Sequence, residues 1–307
     1  MKEKLQGLAN SKTALLSSAL VSQIDSISPI NSTEKNSAER YFNAIWLSDI
    51  HLGSKDCKAE YLLQLLNSLH TDKLFLVGDI IDVWALKRKF LWPQSHNLIL
   101  QKLLKMAREG THIVYLPGNH DDLFKPYDGF HLWDLTITTE HIHTTASNRK
   151  VLMVHGDQFD SEVCIGRTYA KLGDHLYDLL LFLNRQLHRV RNHLGYPYWS
   201  LASYVKLRVG KAQQAINNYR SAVIRYAKSK GADVVVCGHI HQPELSLTNN
   251  IIYANDGDWV ENCTFIAESQ SGDIQLFKWQ ESTSSARLIS AFQFNQQRDS
   301  PKTRRVA

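Results

Sequence analysis

The sequence has few cysteines, little net charge and no long apolar run. Its four cysteines, Cys57, Cys164, Cys237 and Cys263, are scattered and form no C-x-x-C pair. This spacing argues against a zinc site built from thiolates and against a disulfide framework, and it favours a reducing compartment. The 35 Lys and Arg exceed the 30 Asp and Glu by only five. That excess permits an anionic partner but does not argue for one.

Targeting and membrane-spanning patterns are also lacking. Residues 13–21 are too short and too rich in serine for the apolar region of a signal peptide. No stretch approaches the roughly 20 apolar residues that a membrane-spanning helix needs. We therefore expect a cytoplasmic protein, which could also make peripheral contact with the inner face of the plasma membrane.

The length of 307 residues and the hydrophobic content of 43% suit one large α/β domain with an insertion. Residues 1–40 are rich in Ser, Asn and Lys and are predicted to be a flexible extension. The folded domain is expected over 41–280 with a helical insertion at 165–230, and the polar, basic tail at 281–307 is predicted to be disordered.

Apolar strands alternate with helical patterns through the first half of the domain. Strands are predicted at 44–47, 73–77 and 111–116, with helices at 60–69 and 97–109 between them. Further strands are predicted at 136–139, 150–154, 233–237, 251–254, 263–267 and 274–279. Alternating strands and helices are typical of a layered α/β sheet.

The first of these strands ends in an unusual way, in Ser48-Asp49-Ile50-His51. In an extended chain, residues i and i+2 point to the same side, so Asp49 and His51 can converge on one point. Open α/β sheets bind ligands at this end of their strands. A carboxylate beside an imidazole suits a divalent transition metal, although an Asp-x-His by itself is equally consistent with a surface turn.

Four later strands also end in polar clusters, and the whole series is more specific than any member. In chain order the clusters are Asp49-x-His51, Gly78-Asp79, Gly118-Asn119-His120-Asp121, His155-Gly156 and Gly238-His239-x-His241. Gly-Asp and His-Gly dipeptides are common and carry little weight alone. Five clusters in this order, each after an apolar strand, argue strongly against surface turns or core histidines.

This series resembles that of the calcineurin-like metallophosphoesterases over residues 45–279. The resemblance implies a two-sheet α/β/β/α sandwich with two metal ions at the strand ends, clamping a phosphate and activating water between them. Asp79 would bridge the ions. One ion would also be bound by Asp49, His51 and His241, and the other by Asn119, His155 and His239. The donors suit manganese, iron or zinc, and the resemblance favours manganese.

The same resemblance assigns His120 to the substrate rather than to a metal. Its imidazole would protonate the leaving oxygen or stabilise charge on the phosphoryl group. Asp121 is expected to orient that imidazole and raise its pKa, or else to cap the following turn. Asp82 is interpreted as a supporting residue at a helix start and not as a ligand.

The insertion at 165–230 carries leucines at helical spacing together with a basic face. The leucines are Leu172, Leu176, Leu179, Leu180, Leu183 and Leu187, and the cations of its second half are Lys206, Arg208, Lys211, Arg220 and Arg225. One interpretation is a helical hairpin that packs its leucines on itself. The other is a lid that offers an apolar groove and cations to an amphiphilic phosphate ester or an anionic membrane.

The layout resembles most the bacterial UDP-2,3-diacylglucosamine pyrophosphohydrolases, which release UMP and a lipid sugar phosphate in lipid A synthesis. Further likenesses are the runs Val77-Gly-Asp-Ile-Ile-Asp-Val-Trp84 and Gly238-His-Ile-His-Gln-Pro243. The chain departs from the best-studied type in having His120 where that type has Arg, and its insertion is longer and richer in leucine. Predicted substrate contacts are Asn119, His120, Asp160, Lys211 and His239.

The expected function is therefore hydrolysis of a lipid-linked nucleotide sugar by two divalent metal ions, without a nucleic-acid partner. The alternatives are a phosphoesterase of the same fold acting on a nucleotide, a phosphoprotein or another phospholipid, and a metal-binding scaffold without activity. The intact set of ligands argues against the scaffold. The oligomeric state is left open by the sequence.

Overall fold

The computed structural model describes residues 40–160, 191, 210–294 and 302–305. Four helices lie in these ranges: α1 (Ala59–Asn67), α2 (Val83–Arg88), α3 (Gln94–Arg108) and α4 (Gly210–Ser229). The strands are β1 (Arg40–Leu47), β2 (Leu69–Val77), β3 (His112–Leu116), β4 (His131–Leu132), β5 (Leu135–Ile137), β6 (His141–Thr144), β7 (Lys150–Met153), β8 (Val234–Cys237), β9 (Glu244–Thr248), β10 (Ile251–Asn255), β11 (Thr264–Glu268), β12 (Ile274–Gln280), β13 (Ser285–Gln293) and β14 (Lys302–Arg305). Short 3-10 helices occupy Asp122–Tyr127, Asp157–Phe159 and Glu281–Thr283.

These strands form two sheets with parallel centres. The larger sheet has the order β14-β13-β12-β11-β1-β2-β3-β5-β4, and β1, β2, β3 and β5 run parallel. The smaller sheet has the order β6-β7-β8-β10-β9, and β7, β8 and β10 run parallel. Parallel strands place their carboxyl ends at one edge, so the polar clusters of both sheets can meet there.

The two sheets pack face to face through alternate residues of their central strands. Trp46 pairs in register with Phe75, which pairs with Val114, and all three are fully buried between the sheets. Val151, Val234 and Ile252 are in register on the facing sheet and belong to the same buried cluster. Near-continuous apolar strands are what a sheet covered on both faces requires.

Helices cover the two outer faces and complete the four layers. On the larger sheet, α1 and α3 bury Leu62, Leu65, Ile99 and Leu103 against the opposite set of strand residues, such as Ile45. On the smaller sheet, α4 buries one face, including Val223, against β8 and β10. The predicted two-sheet α/β/β/α sandwich is confirmed.

The predicted insertion boundary is wrong at its carboxyl end, because α4 is a layer of the sandwich. Tyr219, Val223 and Ala227 are buried in the cluster under the smaller sheet. Arg220, one of the predicted cations, lies 2.5 Å from Glu244 of β9 and is thereby part of the domain. Residues 161–190 and 192–209, with the leucines of the predicted hairpin or lid, lie outside the described residues.

The prediction of a disordered tail is also wrong for its first part. Ser285–Gln293 forms β13, which pairs antiparallel with β12 along its length. Exposure alternates along the strand, with Leu288 partly buried against the core and Arg287 exposed. The sequence alternates polar and apolar residues only over Ser285-Ala-Arg-Leu288, and the polar, basic composition of the whole tail obscured this short pattern. The flexible extension predicted at 1–40 lies outside the described part of the chain, except for Arg40, which begins β1.

Among the described residues, the structure has no helix that is both long and apolar enough to cross a membrane.

Candidate metal centre

The polar clusters that follow β1, β2, β3, β7 and β8 converge at one edge of the sandwich. Backbone hydrogen bonds join the loops directly. Asp49 N donates to Gly78 O at 3.0 Å, and Gly238 N donates to His155 O at 3.1 Å. The structure thus brings together all seven predicted ligands, which lie on loops that start within two residues of a strand end.

Five of these seven residues have a left-handed backbone. The φ angles of Asp49, His51, Asp79, His239 and His241 lie between 50° and 68°. Residues with side chains rarely adopt this region, and a strained backbone persists only where the surroundings determine it. The strain is concentrated where the chain must leave a strand and turn a carboxylate or imidazole sharply toward a common point.

Two glycines of the motifs are required by close approach to the ligands. A Cβ on Gly118 would lie 2.3 Å from Asp79 Oδ1 and 2.7 Å from His155 Nε2. A Cβ on Gly78, whose φ is +85°, would lie 2.1 Å from His155 Nδ1. Both positions therefore exclude a side chain, because its first carbon would displace a ligand.

The first group of donors consists of Asp49, His51 and His241. Asp49 Oδ1 lies 3.0 Å from His241 Nε2 and 3.9 Å from His51 Nε2, and the two imidazole nitrogens are 3.4 Å apart. The other oxygen of Asp49 accepts the backbone N–H of His239 at 2.9 Å. Asp49 thus keeps one buried oxygen directed at the two imidazoles.

The second group consists of Asp79, His155, Asn119 and His239. His155 Nε2 lies 3.4 Å from Asp79 Oδ2 and 3.2 Å from Asn119 Oδ1. His155 Nδ1 donates to Val77 O at 2.9 Å, which leaves Nε2 with its lone pair facing the centre. His239 has a ligand atom within 4.8 Å of those of Asp79 and His155.

Asp79 Oδ2 faces an imidazole from each group. It lies 3.4 Å from His155 Nε2 and 4.0 Å from His51 Nε2, while Oδ1 accepts the backbone N–H of His120 at 2.8 Å. Burial opposes ionisation of Asp79, but the nearby His155 and His51 hold its pKa well below the usual range. A single ionised oxygen therefore lies between the two donor groups.

The remaining charges follow the same logic. Burial opposes ionisation of Asp49 too, yet His241 at hydrogen-bonding distance lowers its pKa to about 2. Burial disfavours the imidazolium of His51, but the hydrogen bond to Asp82 and the charges of Asp79 and Asp49 raise its pKa to about 9. The pKa of His155 is raised well above its ordinary value, because Asp79 outweighs burial. Without bound metal, protons on histidines balance the buried carboxylates.

The residues present fit two divalent transition metal ions. Asp49 Oδ1 is buried and faces Nε2 of His241 at 3.0 Å and Nε2 of His51 at 3.9 Å, so a carboxylate oxygen and two imidazole nitrogens are directed at one point, as a bound cation requires. The donor set combines carboxylate, amide and imidazole and includes no thiolate, as manganese, iron and zinc accept. Within the described ranges, three groups of side chains could hold a metal ion: Asp49, His51 and His241; Asp79, His155 and His239; and His51, Asp82 and His120. The first two correspond to the predicted division between two ions.

The structure corrects the role predicted for Asp121. Its carboxylate does not reach the His120 imidazole. It accepts from Gly118 N at 2.6 Å, from Ile80 N at 2.8 Å and from Tyr115 Oη at 2.5 Å. Burial, and then the charge of Asp79, raise the pKa of Asp121. Asp121 therefore fixes the loops that carry Asp79 and Asn119, because it accepts hydrogen bonds from the buried backbone N–H groups of both loops.

Asp82 is the carboxylate that orients the His120 imidazole. Asp82 Oδ1 accepts from His120 Nδ1 at 2.9 Å, and its Oδ2 accepts from His51 Nδ1 at 3.2 Å. Asp82 also caps α2 by accepting the N–H of Ala85 at 2.7 Å, as expected for a helix start. Burial opposes its ionisation, but the hydrogen bonds from His120 and His51 lower its pKa. One side chain thus holds a predicted ligand and the predicted proton donor.

Of the two predicted substrate contacts outside the motifs, the structure describes one side chain. Asp160 Oδ1 accepts from His239 Nε2 at 2.7 Å and is 57% exposed at the rim of the centre. Asp160 is therefore first of all a partner of a predicted ligand. Lys211 lies in the first turn of α4, and its side chain is outside the described part of the structure.

Two features of the centre were not predicted from the sequence. One is the contact of Asp82 with both His120 and His51, and the other is the packing of Trp84 against His120. The indole of Trp84 lies with its centroid 4.3 Å from that of His120 at an interplanar angle of 32°. A usable signal was present, since Asp82 and Trp84 frame the start of a helix directly after the Gly78-Asp79 motif. The contact itself joins loops after β2 and β3 and could not be read from either alone.

Two donor groups of this composition, at the joint edge of an α/β/β/α sandwich, are those of a metal-dependent phosphohydrolase. Residues 42–243 match the family model described as calcineurin-like phosphoesterase. The chain belongs to this family.

Comparison with known proteins gives distant relatives of two kinds. The chain is 23% identical over 208 residues to UDP-2,3-diacylglucosamine hydrolase of Blochmanniella pennsylvanica, covering 66% of this chain and 80% of that protein. It is 22% identical over 257 residues to the DNA polymerase II small subunit of Halobacterium salinarum, covering 75% of this chain and 46% of that one. Among solved structures, a Vps29 mutant from Entamoeba histolytica matches with a TM-score of 0.42 and 12% identity, covering 82% and 99% of the two chains.

Proposed function

We propose that the protein is a dinuclear metal-dependent hydrolase that cleaves the diphosphate of UDP-2,3-diacylglucosamine to give UMP and a lipid sugar phosphate. The observation that carries the dinuclear assignment is the position of Asp79 Oδ2, which faces His155 Nε2 at 3.4 Å and His51 Nε2 at 4.0 Å. An ionised oxygen that faces both groups of donors is what a bridging carboxylate requires.

The ions are proposed to be manganese, on the resemblance noted above, and iron or zinc also fit the donors. When bound, two such ions polarise the phosphate and supply a nucleophilic water at neutral pH. They would be held by Asp49, His51 and His241 on one side and by Asn119, His155 and His239 on the other, with Asp79 shared.

The side chains of the protein supply the proton and the orientation. Because His120 Nδ1 donates to Asp82, its Nε2 is the nitrogen available to the substrate. We assign to it the protonation of the leaving oxygen or the stabilisation of charge on the phosphoryl group. Asn119 and His239 lie close enough to the same centre to contact a bound phosphate as well.

The substrate is proposed from similarity and from the insertion. Several relatives of 21–26% identity carry the name UDP-2,3-diacylglucosamine hydrolase, and they align over 65–70% of this chain. The insertion adds leucines and cations, which would suit acyl chains and phosphate together. Peripheral contact with an anionic membrane would give the enzyme access to such a substrate.

A hydrolysis screen with added manganese tests the proposal. The substrates are UDP-2,3-diacylglucosamine, a UDP-sugar without acyl chains, bis(p-nitrophenyl) phosphate and p-nitrophenyl phosphate. We expect the lipid substrate to be cleaved fastest and the chromogenic diester slowly. A UDP-sugar without acyl chains that is cleaved as fast as the lipid would contradict the substrate assignment, while leaving the hydrolase intact.

The contribution of the insertion can be separated from that of the metals. Each buried methylene contributes about 0.8 kcal/mol, so activity should fall steeply as the acyl chains are shortened. Leu180→Asp with Leu183→Asp should impair the lipid reaction far more than the chromogenic one. Equal losses in both reactions would show instead that these leucines belong to the core of a helical hairpin.

The shared carboxylate has the sharpest test. Asp79→Ala should empty both metal sites, because each donor group loses an oxygen that no neighbour replaces. Elemental analysis of the purified variant and the parent measures this directly, and Asp56→Ala, on the nearby loop after β1, is the matched control. Two ions retained in Asp79→Ala would mean that this carboxylate is not the bridge.

A second candidate is hydrolysis of another phosphoester in the same centre. The observation that favours it is His120 itself, since the best-studied lipid A enzymes have Arg at this position. The screen decides here as well, because a nucleotide or simple monoester cleaved faster than the lipid would select this function. An inactive scaffold is disfavoured because the sequence retains all seven predicted ligands.

A further inference from the structure

The most exposed large apolar side chain among the described residues, Phe90, follows the short helix α2. Phe90 is 78% exposed, the adjacent Leu91 is 36% exposed, and Trp84 in the first turn of α2 is 44% exposed. Single exposed apolar residues are normal on a protein surface, but a cluster of this kind marks an interaction site. All three residues lie in α2 or in the loop that joins it to α3.

The surrounding segment is basic and contains no acidic residue. Between Asp82 and Glu109 the sequence includes neither Asp nor Glu, and its cations are Lys87, Arg88, Lys89, Lys102, Lys105 and Arg108. Three of these six cations are consecutive and exposed directly before Phe90. The charge excess of the whole chain is only five. The positive charge is therefore concentrated in this segment far beyond the average of the protein.

Contacts of Leu86 and Trp92 with the rest of the domain hold the segment in place, so its exposed side chains are directed outward. Leu86 packs closely over Gly53, whose added Cβ would meet it at 2.7 Å. The N–H of Lys89 closes α2 on Ala85 O at 2.9 Å. On the other side of Phe90 and Leu91, the indole of Trp92 is packed against the core and donates to Asn97 at 2.8 Å. A loop fixed at both ends presents its exposed residues in a constant arrangement.

The geometry points to a docking surface for an anionic lipid bilayer, which we call the basic patch and define as Trp84, Lys87, Arg88, Lys89, Phe90 and Leu91. Lysine and arginine are attracted to anionic headgroups, while exposed aromatic and aliphatic side chains insert at the headgroup boundary. Alternation of both kinds within eight residues provides both contributions at one place.

The location of the basic patch gives docking a consequence for catalysis. Trp84 lies against the imidazole of His120, with ring centroids 4.3 Å apart, so the patch borders the candidate metal centre directly. A bilayer bound there would lie next to His120. This surface belongs to α2 and its loop, not to the insertion, and docking would occur whichever phosphoester the centre hydrolyses.

A basic surface with aromatic residues is also compatible with single-stranded nucleic acid, which stacks bases on aromatic rings. We favour the bilayer because Leu91 offers no stacking face and because Phe90, at 78% exposed, is free to insert at a headgroup boundary. Binding of an oligonucleotide is accordingly an outcome that the experiment must include.

Sedimentation with vesicles tests the docking surface without substrate. The full chain is mixed with vesicles of phosphatidylcholine alone or of equimolar phosphatidylcholine and phosphatidylglycerol. We expect binding only to the latter, weakening as salt is added. Lys87→Gln with Lys89→Gln should weaken it about tenfold or more, and Phe90→Ser with Leu91→Ser by a similar factor.

Matched controls remove the same groups from other exposed positions. Lys228→Gln with Lys278→Gln deletes two exposed lysines from α4 and β12, and Ile142→Ser removes a side chain of β6 that is 43% exposed. These variants should bind as the parent does. All variants should keep the parent's melting temperature and its rate on bis(p-nitrophenyl) phosphate, since none alters the metal centre.

Three results would overturn the inference. Equal losses of vesicle binding in the patch variants and in the controls would show that binding depends on the net charge of the protein and not on the basic patch. A lowered melting temperature in Phe90→Ser with Leu91→Ser would show that this surface is covered by the chain itself. Binding of the parent to an oligonucleotide but not to anionic vesicles would assign the surface to nucleic acid. Loss of activity on every substrate would concern the proposed function and would leave vesicle binding unaffected.

Discussion

At the scale of single residues, the centre depends on how Asp82 divides its two oxygens. One oxygen accepts from His120 Nδ1 at 2.9 Å and the other from His51 Nδ1 at 3.2 Å. The same carboxylate therefore fixes the tautomer of a predicted ligand and of the predicted proton donor. This explains how His120 can lie beside the ligands and still present its other nitrogen to a substrate.

We predict that His120→Ala keeps both metal ions but loses turnover by a factor of about 10²–10⁴, because a general acid contributes on that order. The measurement is the turnover number together with the metal content. Asp82→Asn is the companion variant, and it should lower metal affinity as well, by about 10–100-fold, because it also releases His51. Loss of a metal ion from His120→Ala would instead make this imidazole a ligand.

The second prediction at this scale concerns pH. His51 has its pKa raised from 6.5 to about 9 in the folded, metal-free protein, so its stabilisation is complete below 6.5 and is lost as the pH rises through 9. Asp49 has its pKa lowered from 3.8 to about 2, so its contribution is present above 3.8 and is lost as the pH falls toward 2.

The metal-free protein should accordingly be most stable in mildly acidic solution and lose stability in alkaline solution. Melting temperatures of chelator-treated protein across this range measure the effect, and His51→Gln should flatten the alkaline decline. Metal binding must displace the proton of His51, so metal affinity should rise with pH over the same range. A melting temperature that rises steadily into alkaline solution would refute the assignment of these charges.

At the scale of elements, α4 shows that an amphipathic pattern does not reveal which surface its apolar face packs against. The helix was predicted to be part of the insertion, but it belongs to the sandwich. Its apolar face is buried under the smaller sheet, and Tyr219 also closes on the metal centre, because its Oη donates to Gly238 O at 3.3 Å. A Cβ on Gly156 would collide with that same hydroxyl. The helix therefore supports the loops after β7 and β8 from below rather than covering the centre.

This position predicts a stability effect without a change in substrate preference. Ile224→Ala in α4 should cost roughly 2–5 kcal/mol of unfolding free energy, because the side chain is 3% exposed within a packed cluster. Lys228→Ala, on the exposed face of the same helix, is the control and should cost little. Denaturant unfolding measures both variants. A small cost for Ile224→Ala, combined with a changed ratio of lipid to chromogenic activity, would show that α4 belongs to the predicted lid and not to the sandwich.

At the scale of the whole molecule, a buried hydrogen bond between a histidine and a glutamate joins the two sheets. Glu268 of β11, in the larger sheet, accepts from His143 Nε2 of β6, in the smaller sheet, at 2.7 Å. Glu268 also accepts the N–H of Ala146 at 2.8 Å, and Lys73 Nζ lies 3.5 Å from His143 Nδ1. A polar bridge between otherwise apolar faces fixes their relative position, because only one arrangement satisfies its donors.

We predict that His143→Ala destabilises the protein by about 2–3 kcal/mol, since it leaves a buried carboxylate short of a donor. Ile142→Ala, the exposed neighbour on the same strand, should have little effect. Thermal or denaturant unfolding of the two variants provides the comparison. A His143→Ala protein as stable as its control would show that the bridge contributes no net stability.

The sequence predicted the larger part of the candidate centre because its chemistry is local. Each ligand lies within a few residues of a strand end, and the ligands occur in short motifs such as Asp-x-His and Gly-His-x-His. Asp82 caps the helix start as predicted, but the orientation of His120 was assigned to Asp121 instead of Asp82, because the two carboxylates differ in their partners and not in residue type. Which carboxylate contacts His120 depends on how the segment after β2 packs against the loop after β3.

By itself, the sequence determined the alternation of strands and helices and the order of the five polar clusters, since both are short-range patterns, and the family that these clusters resemble implied the two-sheet sandwich and the seven candidate ligands. Only the tertiary structure decided that Asp79 Oδ2 faces both donor groups, that Asp82 orients His120, and that α4 and β13 belong to the sandwich. The physical reason is common to these cases. Each depends on a contact between segments distant in the chain, and the distance between their atoms is set by packing rather than by spacing along the sequence.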